Sequence, residues 1–170
     1  MNRRMDASRA EFQQWIEPLL ERAAGYAFVI VQNREDAEDA LQEAALKGYL
    51  ALDRFDRGRS FKGWWFSIIR NCCLDLLRKR RVRSPSVCID QVEPLSITQP
   101  NIEREDEVRN ALQQLPPLHR EILELRYFGD CSYREIATAL DIPEGTVMSR
   151  LHAARRALVE VFERWQYETD

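Results

Sequence analysis

SYREIATALDIPEGTVMSRLHAARRAL, residues 132–158, decides the fold. Ser132 followed by Glu135 is the S-x-x-E signature of a capped helix start, and predicts a short helix ending at Leu140. Asp141-Ile142-Pro143 reads as a turn, with Asp141 at the helix-end position that favours a left-handed residue: usually Gly, but tolerated by Asp. A longer helix follows, from about Glu144 to Trp165, with Val147, Leu151, Ala154 and Leu158 on its inward stripe. A short helix, a three-residue turn and a longer helix, with small Ala137 where the two must approach, make the layout of a helix-turn-helix. Ser149, His152, Ala153 and Arg156 are left on an outward face, and short polar and basic groups there can reach base edges in a major groove. Arg150 and Arg155 are placed to hold phosphates. A plain helical hairpin is the bland alternative.

Upstream, helices are expected from about Arg104 to Leu115, ended by Pro116-Pro117, and from Leu118 to Phe128, ended by Gly129. Residues 84–103 hold three prolines and no helical period, so they read as a flexible linker. At ~3.3–3.6 Å per residue it reaches at most ~70 Å, about 20 base pairs at ~3.4 Å rise. Two modules joined this way could occupy separate parts of one DNA site.

Residues 1–83 form the other module. Phe12, Trp15, Ile16, Leu19 and Leu20 make one apolar stripe of a helix over residues 8–31, with a kink or break expected at Pro18. Asn33 with Asp36 resembles a capped start for a helix to about Leu52, whose narrow buried face is Ala37, Leu41, Ala44, Ala45 and Gly48. Asp39, Gln42, Glu43 and Leu46 line another face, either solvated or a partner surface. Residues 53–63 read as a charged, glycine-bearing loop. The helix from Trp64 to Arg83 buries Trp65, Ile68, Ile69, Cys72, Cys73 and Leu76. Trp64, Trp65 and Phe66 open it beside basic residues; single-stranded bases need such a pairing of stacking faces with cations. At least one of the three is expected in the core and at least one outward.

The 170 residues carry 25 Lys+Arg against 28 Asp+Glu, a net charge of −3 that by itself argues against a nucleic-acid binder. The average hides segregation. Residues 54–84 are net +8, between stretches of −4 (residues 1–53) and −5 (residues 85–125). One localised basic block in an acidic protein is the footprint of a confined polyanion contact.

The four cysteines form no CxxC pair and no His cluster accompanies them, so four reduced thiols are expected and no metal or cofactor is implied. His152 and His119 read as helix-surface residues. No nucleophile–base pair or phosphate-binding glycine loop points to an enzyme. No apolar run suggests membrane insertion or a secretory signal, and a cytoplasmic location is expected.

DAEDALQEA (Asp36–Ala44), FDRGRSFKGWWFSIIRNCCLDLLRKRR (Phe55–Arg81), LPPLHREILELRY (Leu115–Tyr127) and the opening stretch together resemble bacterial RNA polymerase sigma factors. The similarity is to the compact extracytoplasmic-function (ECF) group, which keeps only regions two and four. The resemblance implies an all-α fold of two small helical domains: region 2 over 1–83, linker over 84–103 and region 4 over 104–170. It implies core polymerase docking through Asp39, Gln42, Glu43 and Leu46. It implies −10 recognition and melting through Arg57, Arg59, Lys62, Trp64, Asn71, Arg78, Lys79, Arg80 and Arg81, with backbone grip continuing to Arg83. The −35 contacts would come from Thr146, Ser149, Arg150, His152, Arg155 and Arg156, with the Leu118–Tyr127 helix packed behind and helping to meet the polymerase flap. Partners would be core RNA polymerase, promoter DNA and an anti-sigma factor, and the linker would thread the polymerase channel. Met148 stands where Lys or Arg is usual and Ala153 where Arg is frequent, so the recognition helix is less basic than is common. A stand-alone helix-turn-helix regulator and a sigma-mimicking antagonist are the alternatives.

Overall fold

The computed structural model describes residues 2–83 and 102–169. The linker expectation for 84–101, Cys88 and the Arg83 side chain lie outside the described residues.

The first unit is four helices. α1 (Asn2–Ile16) and α2 (Leu20–Val31) are separated by a 3-10 turn over Glu17–Leu19, the break expected at Pro18. α3 (Arg34–Ala51) starts where Asn33 accepts the Asp36 N–H at 3.0 Å, and a 3-10 turn over Leu52–Arg54 follows it. Gly48 lies where a side chain would meet the rings of Phe12 at 2.9 Å and Trp65 at 3.1 Å, so α3 closes tightly on its neighbours.

α4 (Phe61–Arg83) begins three residues before the expected Trp64. The reason is Ser60: its carbonyl accepts the Trp64 N–H and its hydroxyl lies 3.4 Å from the Gly63 N–H, an N-cap arrangement. α4 is the central helix. It packs against α3, α2 and a helix of the second unit, which explains why adjacent Cys72 and Cys73 are both buried, along with Trp65, Phe66 and Ile69. Burial pushes the Cys73 thiol up to about 12, so it is a protonated core group.

The second unit contains α5 (Ile102–Gln113), α6 (Pro117–Leu123), α7 (Tyr133–Leu140) and α8 (Glu144–Thr169). The expected helix over Leu118–Phe128 is not α-helical throughout: Glu124–Phe128 widens into a π turn, with Gly129 N–H donating to Glu124 O at 2.8 Å. Both halves of the Ser132–Glu135 capping box are formed, and Asp141 takes the left-handed conformation at φ 54°. Val147, Leu151 and Ala154 are buried on the inner stripe of α8, while Leu158 is half-buried.

The two units are docked. α7 lies along α4, and α6 with the π turn lies on α2. Their buried residues join one continuous core.

Candidate nucleic-acid interface

α4 lays out the basic block along a helix. Trp64, Asn71 and Arg78 recur every seven residues and so share a face, with Arg81 beside them about 25 Å along the axis from Trp64. Asn71, Arg78, Lys79, Arg80 and Arg81 are exposed. Trp65 and Phe66 are fully buried, while Trp64 is half-buried against Phe55 at 4.7 Å and Phe61 at 5.4 Å between ring centroids. One aromatic of the three is therefore left at the surface edge.

The cations differ in what already holds them. Arg57 donates two hydrogen bonds to Glu11 at 2.8 and 3.0 Å and lies over the Trp15 ring at 5.3 Å. Arg59 sits 3.6 Å from Asp56 and Arg78 2.7 Å from Asp75. Arg80 pairs with Asp36, whose carboxylate is mostly covered. Burial pushes that carboxyl up, and Arg80 pulls it partly back. Among the described residues Arg81 makes no ion pair, and the Lys79 charge acts on Glu43 of α3 without closing to a salt bridge. Lys62 points across the unit boundary, donating to the Asp130 carbonyl, with the Asp130 carboxylate at 3.9 Å.

On α3, Asp39, Gln42 and Leu46 are exposed on one face, and Glu43 is half-buried beside them. Leu46 is 61% exposed. Lys47 holds Glu43 at 2.8 Å, and this hydrogen-bonded ion pair keeps the Glu43 carboxyl below its ordinary value. Leu50, 70% exposed, extends the same face and was not singled out from sequence, although its i+4 spacing from Leu46 was the available signal.

On α8, Ser149, His152, Ala153 and Arg156 are exposed together, joined by Gly145 and Met148. Thr146 and Arg150 are half-buried, and Thr146 carries its carbonyl to the Ser149 hydroxyl at 3.1 Å. Arg155 donates to the Tyr127 hydroxyl at 2.8 Å, which ties α8 to the π turn. His119, expected on a helix surface, is half-buried, with its Nδ1 covered. No group of three or more His, Cys, Asp or Glu among the described residues could hold a metal ion.

Sequence reasoning missed the residues that join the units. Tyr26, Arg70 and Glu121 converge: Glu121 accepts from the Tyr26 hydroxyl at 2.9 Å and from Arg70 at 2.8 Å. The only sequence signal was a pair of carboxylates, Glu121 and Glu124, set in the apolar run of α6 and the π turn.

A basic, aromatic-led helix in one helical unit and a helix-turn-helix in another define a two-site DNA-recognition protein. Residues 15–83 match the family Sigma-70 region 2 and residues 105–158 match Sigma-70, region 4. The ECF RNA polymerase sigma factor SigW of Bacillus subtilis is 34% identical over 143 residues, covering 74% of this chain and 75% of that protein. The ECF RNA polymerase sigma-E factor of Escherichia coli is 34% identical over 137 residues, 72% of each. The sigma factor RpoE of Bartonella quintana, solved in complex with the anti-sigma factor NepR, superposes with a TM-score of 0.75 at 26% identity, over 90% of this chain and 97% of that one. CnrH, solved with the cytosolic domain of CnrY, has a similar fold, with a TM-score of 0.67 at 23% identity over 94% of this chain and 95% of that one. The chain belongs to the ECF group of the sigma-70 family of RNA polymerase sigma factors.

Proposed function

We propose that the chain is a promoter-specificity subunit: core RNA polymerase supplies the chemistry, and this protein supplies sequence choice and strand opening. The observation that carries the reading is the shared outward face of Trp64, Asn71 and Arg78 on α4, in a chain whose α8 presents a second, separate outward face. Opening a base step costs a few kcal/mol. Each captured base returns ~1–3 kcal/mol by stacking, and each bidentate major-groove contact on α8 adds ~1–3 kcal/mol of discrimination.

In this assignment Asp39, Gln42, Glu43 and Leu46 dock on polymerase, and exposed Leu46 with its neighbour Leu50 supports it. The −10 DNA is taken by Arg57, Arg59, Lys62, Trp64, Asn71 and the Arg78–Arg81 run. The −35 DNA is read by Thr146, Ser149, Arg150, His152, Arg155 and Arg156. The domains follow as region 2 over 1–83, linker over 84–103 and region 4 over 104–170. The protein acts on polymerase in the cytoplasm, is not itself an enzyme, and meets a protein antagonist of the anti-sigma kind, as RpoE of Bartonella quintana meets NepR.

Reconstituted transcription tests this. Core polymerase plus this protein is expected to give promoter-specific transcripts that vanish when the protein is left out. Tight, specific binding of the free protein to promoter duplex at physiological salt would instead favour a stand-alone regulator.

A further inference from the structure

Arg57 stands in the basic block, but its guanidinium is already engaged by another helix. Its two terminal nitrogens donate to the two carboxylate oxygens of Glu11 on α1, at 2.8 and 3.0 Å. The same group lies 5.3 Å from the centre of the Trp15 ring. The end of the fork is thereby closed to a phosphate. Glu11 lies ahead of residues 15–83, the part of the chain that matches Sigma-70 region 2. The neighbouring Arg59 differs. Its side chain is 74% exposed, and its ion pair is with Asp56 in the same loop, so that pair does not tie the loop to a helix. What Arg57 holds matters because of Phe55. That ring packs on Trp15 at 6.2 Å, on Phe61 at 5.7 Å and on Trp64 at 4.7 Å between centroids. Trp64 is the half-buried aromatic at the start of α4, so the position of the loop decides how much of its ring is left for a base.

We propose that Glu11 is a positioning residue for −10 recognition: through Arg57 it fixes the loop over residues 55–60 on α1, and through Phe55 it sets the stacking edge of Trp64. Arg57 then serves the −10 site by holding the loop, and Arg59 by reaching out of it. The turn itself is shaped locally, since the Asp56 side chain accepts the Gly58 N–H at 2.9 Å and the Asp56 carbonyl accepts the Arg59 N–H at 2.9 Å. Only a contact outside the loop can set where that turn sits, and the Glu11–Arg57 bridge is such a contact. An isolated exposed ion pair holds little, but this one is bidentate and backed by an aromatic face, the geometry in which such pairs do fix a side chain. The hydrogen bond from Arg57 keeps the Glu11 carboxyl below its ordinary value, so the bridge is formed at neutral pH.

The positioning role rests on the assignment of Trp64 and this loop to −10 DNA; the bridge does not. Three variants of the full chain test both: Glu11→Arg, Arg57→Glu, and the two together, which restores the pair with its charges exchanged. All three are expected to keep the helical circular dichroism and a melting midpoint near that of the wild type, because the pair is at the surface. Hydrogen exchange of the free chain, followed on the peptide covering residues 53–61, is expected to be about fivefold faster in each single variant and to return towards the wild-type rate in the double. With core polymerase, on a promoter that the wild-type holoenzyme transcribes, permanganate reactivity of the −10 thymines is expected to fall about fivefold in each single variant and to recover in the double. Unaltered loop exchange in the single variants would overturn the bridge as a strut. Faster exchange with undiminished opening would overturn its role at the −10 site. A double variant as defective in opening as Arg57→Glu alone would mean that Arg57 itself meets the DNA, and would overturn that role as well. Promoter-specific transcription by the wild type is a separate readout: its failure would remove the sigma-factor assignment and leave the exchange result to decide the strut.

Discussion

Asn71 and Arg80 sit on the same exposed stretch of α4 and answer to different forces. Asn71 is exposed, so Asn71→Ala is expected to change stability by less than ~0.5 kcal/mol while lowering open-promoter formation, measured with core polymerase by permanganate footprinting. Arg80 balances a mostly covered carboxylate, that of Asp36. Arg80→Gln is expected to destabilise the fold by ~1 kcal/mol, a buried-pair effect reduced by the solvent exposure of the arginine, seen as a lower urea midpoint. The sequence shows RKRR as one basic run; Asp75 holds Arg78 within α4, but the pairing of Arg80 with Asp36, far away in the chain, needs the packing of α3 on α4. Glu135 shows the same dependence on distant partners. Burial pushes its carboxyl up, but hydrogen bonds from the Ser132 N–H and the Ser60 hydroxyl outweigh that and leave it below its ordinary value. Its contribution is therefore fully present above the unfolded-state carboxylate pKa and is lost as pH falls through the lower, folded value. Glu135→Gln is expected to flatten that acid-side loss of stability, measured by thermal melts from pH 6 downward.

At the scale of elements, starts written in local chemistry were legible. The Asn33 and Ser132 caps, the break at Pro18 and the left-handed Asp141 all depend on residues within a turn of one another. The early start of α4 was also local, in Ser60, but the glycines and charges around it masked the cap. The π turn was not legible, because Glu124–Phe128 is shaped by packing on α2, where Gly25 would bring a side chain to 3.2 Å from the Glu124 carboxylate. The recognition helix offers a test of its own. Met148 is 60% exposed on the outward face of α8 between Gly145 and His152, where a cation could reach a phosphate. Met148→Arg is expected to strengthen promoter binding by the holoenzyme and to steepen the log–log salt dependence by about one unit, the signature of one added phosphate contact. An unchanged slope would place Met148 away from the DNA backbone.

For the whole molecule, two helical units and a helix-turn-helix were readable from periodicity, and their docking was not. Tyr26, Arg70 and Glu121 belong to three separate helices, and nothing in the spacing of a sequence says that a carboxylate in one unit satisfies a hydroxyl and a guanidinium in another. Two thiols report on that docking independently of DNA. Cys73 is covered from the region 2 side by α2, its sulfur 4.0 Å from the Ala27 carbonyl, although Glu121 of region 4 acts on it as well. Cys131 is equally buried, but in region 4 at the seam, where the Lys62 and Arg22 charges of region 2 act on it. Burial pushes both thiols up to about 12, so neither is reactive while covered at neutral pH. Separation of the units uncovers Cys131 and leaves Cys73 under α2, whereas global unfolding uncovers both. Alkylation followed site by site with peptide mass spectrometry is therefore expected to modify Cys131 faster than Cys73 in the wild type. Gly63→Leu, whose side chain cannot coexist with α7 at its present distance, should accelerate Cys131 more than Cys73. Equal rates at the two cysteines in every variant would mean that the seam opens only when the whole chain unfolds, and that promoter engagement needs polymerase to prise the units apart.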